Sequence, residues 1–102
     1  MSKIEEAIVE VKKRLYKVKE VFAVILYGSV ARGDYSIRHS DIDILIVLED
    51  IKAKSDVENI IEDINIKYRV RLHPEYQILD VKREDQSLLC KMFEEGKLLF
   101  SK

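Results

Sequence analysis

Two short apolar runs, residues 22–27 and 41–49, set the strongest constraint on what this chain can fold into. Both are short and rich in aliphatic residues, a pattern typical of buried β-strands. The first run ends at Gly28, as expected for a strand that leads into a turn. Residues 29–40 are polar, which predicts a turn and a loop with room for a short helical turn.

Helical periodicity precedes and follows these two strands. Ser2 and Glu5 have the spacing of a capping box, and the apolar residues after them predict a first helix to about residue 20. Ser55 and Glu58 repeat the capping box ahead of a second amphipathic helix. The two strands are therefore flanked by helices.

The C-terminal part contributes one more strand and one more helix. Residues 69–80 predict a third strand that is kinked or lies at a sheet edge, because Pro74 cannot donate a hydrogen bond to a ladder. Residues 84–95 predict a third helix that stops at Gly96. Residues 98–100 add a short final strand or a packed tail.

The order helix, strand, strand, helix, strand, helix predicts an α/β sandwich of the α+β kind. It has one small mixed sheet with helices covering mainly one face, which leaves the other face available for a site. A length of 102 residues fits one domain, residues 1–102.

Charge and composition exclude several classes of function. The formal net charge of -1 gives no general attraction to nucleic acid, so we expect no bulk nucleic-acid binding. A single cysteine, Cys90, excludes an internal disulfide and a thiolate zinc site. No signal-peptide core or membrane-spanning run is apparent, so we expect a soluble, cytoplasmic protein.

The second strand carries two carboxylates, Asp41 and Asp43, which alternation places on one side of the sheet. Unpaired carboxylates in an apolar setting are costly, and residues 42–48 include no lysine or arginine. A bound divalent cation, Mg²⁺ or Mn²⁺, would resolve the conflict. Alternatively, Asp41 is solvated at the strand entry and Asp43 is satisfied by backbone groups, Arg32 or Arg38.

Gly28 and Ser29 form a second candidate element. Glycine permits close approach of the backbone to a ligand, and a serine hydroxyl and N–H at the start of a helical segment can bind phosphate oxygens. The Walker pattern is absent, because no Gly-Lys-Ser/Thr follows. Gly28 could also simply end the strand.

Together, GSVARG at residues 28–33 and SDIDILIV at residues 40–47 resemble the signature of the minimal nucleotidyltransferase group of the polymerase-beta-like superfamily. The tight resemblance covers residues 27–47, and the element order extends it loosely over the chain. It implies that Gly28 and Ser29 hold the triphosphate of a nucleotide. It also implies that Asp41 and Asp43 bind Mg²⁺, and that Arg32 touches a phosphate or braces the loop.

The same resemblance implies a third carboxylate on a later strand. Glu75 is the candidate, because its parity is opposite to that of Tyr76 and Ile78. Asp80 is the second choice, and an ordinary solvent-facing Glu75 is the alternative. His73 shares the parity of Glu75, but a lone histidine fits neither a zinc site nor a general base convincingly.

The resemblance further implies the reaction. With two Mg²⁺ ions and ATP as substrate, such a protein transfers a nucleoside monophosphate, AMP, to a hydroxyl acceptor. Small members of the group act as antitoxins that modify a tyrosine of a helical HEPN toxin. The alternatives are a catalytically idle subunit that neutralises or scaffolds a partner by contact, and a free-standing enzyme that adenylylates small molecules.

Overall fold

The computed structural model describes residues 3–27, 41–79 and 97–102. Within these ranges lie helices α1 (Lys3–Tyr16) and α2 (Lys54–Tyr68) and strands β1 (Val21–Tyr27), β2 (Asp41–Leu48), β3 (Arg71–Ile78) and β4 (Lys97–Ser101). A 3-10 turn, Ile51–Ala53, precedes α2. The helix expected over residues 84–95, and Ser2 of the first capping box, lie outside the described residues. None of the described helices is long and apolar enough to cross a membrane.

The four strands form one mixed sheet in the order β3-β2-β1-β4. β1 is antiparallel to both β2 and β4, whereas β2 and β3 are parallel. A parallel pair needs a crossover connection, and α2 provides it between β2 and β3. The expected fold class, a small mixed sheet with helices, is confirmed.

Both described helices pack on one face of the sheet. The apolar stripes of α1 and α2 meet alternate residues of the strands in one buried cluster, which we call the helix-side core. Burying a large aliphatic side chain contributes about 1.5–3 kcal/mol, so this cluster dominates the stability of the described fold. Its main members are Ala7, Val11 and Leu15 of α1, Val57, Ile61 and Ile64 of α2, and Val24, Leu26, Ile42, Ile44, Ile46 and Leu48 of the sheet.

The opposite face is not open along its whole length. A second buried cluster, Ala23, Ile25, Leu45 and Val47, occupies its centre. Exposed polar residues on this face occur toward the start of β2 and along the edge strand β3. The surface that remains for a site is therefore one end of this face, which is smaller than the open face predicted from the sequence.

The first helix is shorter than predicted and ends at Tyr16. Beyond it, the Val18 N–H donates to the Leu15 carbonyl, and the Val21 N–H donates to the Val18 carbonyl, each at 3.1 Å. These tighter turns replace helical hydrogen bonds and lead the chain into β1. The predicted extension to residue 20 was therefore wrong.

The second helix starts in a different way from the predicted capping box. Its N-cap is Ala53, which makes no side-chain cap, and Ser55 lies inside the first turn. The helical turns begin earlier in the chain, at the 3-10 turn. Asp50 caps this turn, because its Oδ1 accepts a hydrogen bond from the Lys52 N–H at 2.9 Å. A cap upstream thus makes the Ser55 cap unnecessary.

β3 lies at the edge of the sheet, as Pro74 predicted. Asn65 of α2 covers the outward backbone of Leu72: Oδ1 accepts the Leu72 N–H at 2.8 Å, and Nδ2 donates to the Leu72 carbonyl at 3.4 Å. Alternate residues of a strand direct their backbone groups to the same side, so the nitrogen of Pro74 also points outward and costs the ladder no hydrogen bond. The final strand, predicted over residues 98–100, is present as β4.

Glu10 of α1 joins the two helices at their surface. Its Oε1 accepts a hydrogen bond from Lys67 Nζ at 2.8 Å and from the Tyr68 hydroxyl at 2.9 Å. The hydrogen bond from Lys67 is the largest of the effects that hold the pKa of Glu10 below its usual value. This contact links the surfaces of α1 and α2.

Candidate functional site

Asp41 and Asp43 lie at the start of β2, where its neighbour β1 ends. Asp43 is exposed, whereas Ile42 and Ile44 on either side of it are fully buried in the helix-side core. The expectation that the acid pair sits in an apolar setting was therefore wrong for Asp43. Its carboxylate is positioned at a polar end of the sheet, where a cation can reach it from solvent. The side chain of Asp41 lies outside the described part of the structure.

The strand register places Asp43 at the centre of a row that crosses three strands. Its partner on β1 is Tyr27 and its partner on β3 is His73. Paired residues of neighbouring strands project from the same face, so Tyr27, Asp43 and His73 share one surface. Tyr27 is partly buried against the second cluster, and His73 is exposed. The row forms the described part of the candidate active site.

Glu75 lies on the predicted face but not in this row. It is exposed and pairs with Leu45. This pair lies two residues further along both strands than the pair of Asp43 and His73. With strands about 4.8 Å apart and about 6.6 Å between alternate residues, the Cα of Glu75 lies roughly 8 Å from that of Asp43. Among the described side chains, no three from His, Cys, Asp and Glu are grouped so that they could hold a metal ion. The role of Glu75 as third ligand therefore remains a prediction.

Arg71 is a residue that the sequence analysis missed. The register pairs it with Asp41, and its side chain is exposed. The arginines considered as neutralising partners were Arg32 and Arg38, which lie outside the described residues. Only the parallel pairing of β2 with β3 brings Arg71 to the site, and a sequence pattern gives strand parity without giving register.

The predicted phosphate-binding residues, Gly28, Ser29 and Arg32, lie outside the described residues, and so does the alternative carboxylate Asp80. The site as described therefore consists of Asp43 and its row, with the position of Asp41 beside Arg71. A carboxylate and an imidazole on adjacent strands can both act as metal ligands, and an arginine can offset charge on a carboxylate or a phosphate. These groups suit chemistry on a phosphorylated substrate.

The chain matches one family over nearly its whole length. The sequence profile of "Polymerase beta, Nucleotidyltransferase" matches residues 9–102. A protein of Methanocaldococcus jannaschii, whose name describes it as a putative protein adenylyltransferase, is 36% identical over 76 residues, covering 70% of this chain and 76% of that protein.

One solved structure shows the same fold, and a second is a weaker match. The crystal structure of a toxin-antitoxin with AMP-PNP aligns with a TM-score of 0.54 at 20% identity, over 96% of this chain and 73% of that chain. The structure of a tri-AMPylated Shewanella oneidensis HEPN toxin in complex with MNT antitoxin gives a TM-score of 0.45 at 17% identity, over 90% of this chain and 71% of that chain. This second likeness is too weak to support an inference.

Proposed function

This chain belongs to the polymerase beta nucleotidyltransferase family, and we propose that it transfers AMP from ATP to a hydroxyl group of a partner protein. The observation that carries the proposal is the exposed carboxylate of Asp43 at the polar end of the sheet, within the motif that resembles the family signature. The relative of M. jannaschii supports the choice of AMP and of a protein acceptor, because its name describes a protein adenylyltransferase.

Asp41 and Asp43 are the proposed metal ligands, and Glu75 is the third candidate. Carboxylate oxygens are the donors that Mg²⁺ prefers, so this set fits the metal. Two bound Mg²⁺ ions would supply charge neutralisation at the α-phosphoryl group and at the departing pyrophosphate. Gly28 and Ser29 bind the triphosphate, and Arg32 contacts a phosphate or braces the loop.

The reaction is an in-line displacement at phosphorus. The acceptor hydroxyl oxygen forms a bond to the α-phosphorus, and the bond from that phosphorus to the bridging oxygen of pyrophosphate breaks. The hydroxyl proton passes to a carboxylate or to solvent. If Glu75 does not bind metal, it is the carboxylate that accepts this proton.

The proposed acceptor is a helical protein of the HEPN type, with this chain as its antitoxin. The family resemblance implies such a partner. The solved structure with a TM-score of 0.54 adds support, because it is described as a toxin-antitoxin with AMP-PNP.

A second candidate function is a catalytically idle subunit that neutralises its partner by contact. The observation that favours it is the offset of Glu75, whose Cα lies roughly 8 Å from that of Asp43 instead of directly beside it. The two candidates differ in whether a covalent product forms.

The test is transfer of label from α-labelled nucleoside triphosphates, in the presence of Mg²⁺, to a HEPN-type helical protein of the same organism, sought first among the products of the neighbouring genes. We expect labelling from ATP, and at least about a 100-fold loss with Asp43→Asn, because an electrostatic group at the reacting centre is removed. Glu49→Gln is the matched control. It removes an exposed acid just after the far end of β2, about 20 Å from Asp43, and should label normally.

Labelling that is unchanged in Asp43→Asn would remove Asp43 from the mechanism. Neutralisation of the partner without any label would favour the idle subunit. Absence of both metal and nucleotide binding by the wild-type chain would contradict the enzymatic proposal altogether.

A further inference from the structure

We propose that His73 is a nitrogen ligand of the metal site that contains Asp41 and Asp43. Compared with a site made only of carboxylates, such a site has a higher ratio of affinity for first-row transition metals, Mn²⁺ included, to affinity for Mg²⁺. This inference rests on the proposed function and specifies its metal site. The juxtaposition that carries it is the register pairing of Asp43 on β2 with His73 on β3.

The pairing brings the two side chains within reach of one ion. Parallel strands are about 4.8 Å apart, and paired residues project from the same face. Asp43 and His73 are both exposed, so neither side chain is packed into the core. A carboxylate oxygen and an imidazole nitrogen each bind a first-row metal such as Zn²⁺ at about 2.0–2.2 Å, and side chains on neighbouring strands can converge on a common ion.

Glu75 is less well placed for the same role. It lies one step further along β3, beside Leu45, whose side chain is only 3% exposed. Its backbone is thus roughly 8 Å from that of Asp43, compared with about 4.8 Å for His73. His73 and Glu75 lie on the same face of β3, so both are candidates. The pairing of β3 with β2 favours His73, because it lies directly beside Asp43.

The identity of the third ligand has consequences for metal choice. A neutral imidazole adds no negative charge, so the protein ligands carry two charges instead of three. Arg71, paired in register with Asp41, adds a positive charge to the same surface. Both features weaken the electrostatic attraction on which Mg²⁺ depends, whereas imidazole suits first-row transition metals such as Fe, Ni, Cu and Zn.

The test is pulsed electron paramagnetic resonance of the full chain loaded with Mn²⁺. We expect electron spin echo modulation from a directly bound ¹⁴N in the wild type and its loss in His73→Gln. We also expect His73→Gln to weaken Mn²⁺ binding by at least about tenfold, since even residues that only orient metal ligands contribute that much. Glu75→Gln and His39→Gln are the controls, and both should retain the nitrogen signal. His39 is included because it is the only other histidine in the sequence.

A conservative replacement sharpens the result. His73→Asp should recover Mn²⁺ binding without the nitrogen signal, and its ratio of Mn²⁺ to Mg²⁺ affinity should fall below that of the wild type. A merely structural role of His73 would not produce that change in metal preference. A ratio equal to the wild-type value would overturn the proposal.

The remaining outcomes separate this inference from the proposed function. Bound Mn²⁺ with no ¹⁴N modulation in the wild type would overturn the role of His73 and leave the transferase proposal intact. A signal that survives His73→Gln and disappears in His39→Gln would assign the bound nitrogen to His39, and this would also overturn the role of His73. If the wild-type chain binds no Mn²⁺ at all, both proposals fail.

Discussion

The two faces of the sheet differ most where β2 begins, and consecutive residues show the difference. Ile42 and Ile44 are at most 1% exposed and belong to the helix-side core, whereas Asp43 between them is exposed. One set of alternate residues of β2 is therefore buried in the helix-side core and stabilises the fold. The other set includes the residues of the candidate site. A candidate metal-binding carboxylate can therefore be positioned by a buried strand without being buried itself.

The largest expected effect tests this division directly. Ile44→Ala should lower the free energy of unfolding by about 2–5 kcal/mol, because it opens a cavity in the helix-side core. Asp43→Ala, one residue away, should change the same quantity by no more than about 0.5 kcal/mol, because the side chain is exposed. Urea denaturation followed by circular dichroism measures both. Comparable losses in the two variants would mean that Asp43 is also a structural residue.

A smaller effect is expected at the edge of the sheet, on the helix side of β3. Asn65→Ala should cost about 1–3 kcal/mol, because it leaves the partly buried backbone N–H and carbonyl of Leu72 without their partners. Asn59→Ala is the matched control, an exposed asparagine on the same helix. Equal stability of the two variants, measured by urea denaturation, would show that Asn65 does not protect the edge.

The smallest effect concerns the surface contact between the helices. Since the pKa of Glu10 is lowered in the folded chain, its contribution to stability is present above its ordinary pKa of 4.5 and is lost as the pH falls through the lowered value. Acidification from pH 7 to pH 3 should therefore lower the Tm of the wild type slightly more than that of Glu10→Gln. Thermal unfolding at both pH values measures the difference, and identical shifts would exclude a role for Glu10. The effect is small because Lys67 is largely exposed.

Much of the fold could be predicted because local patterns determine it. The apolar runs predicted β1 and β2, helical periodicity predicted α1 and α2, and Pro74 predicted the edge position of β3. Among the helices and strands, the errors occurred at helix ends, where the outcome depends on competing local hydrogen bonds. Asp50 displaced the cap expected at Ser55, and tight turns ended α1 before residue 20.

For the candidate site, the sequence by itself determined the residue types, the motif resembling the family signature and the strand parity. Parity made His73 and Glu75 equivalent, because residues two apart on a strand share a face. Only the tertiary structure decided that Asp43 is exposed, that His73 stands beside it and that Arg71 stands beside Asp41. Register between strands that are distant in sequence depends on how the intervening helix packs, and no local pattern contains that information.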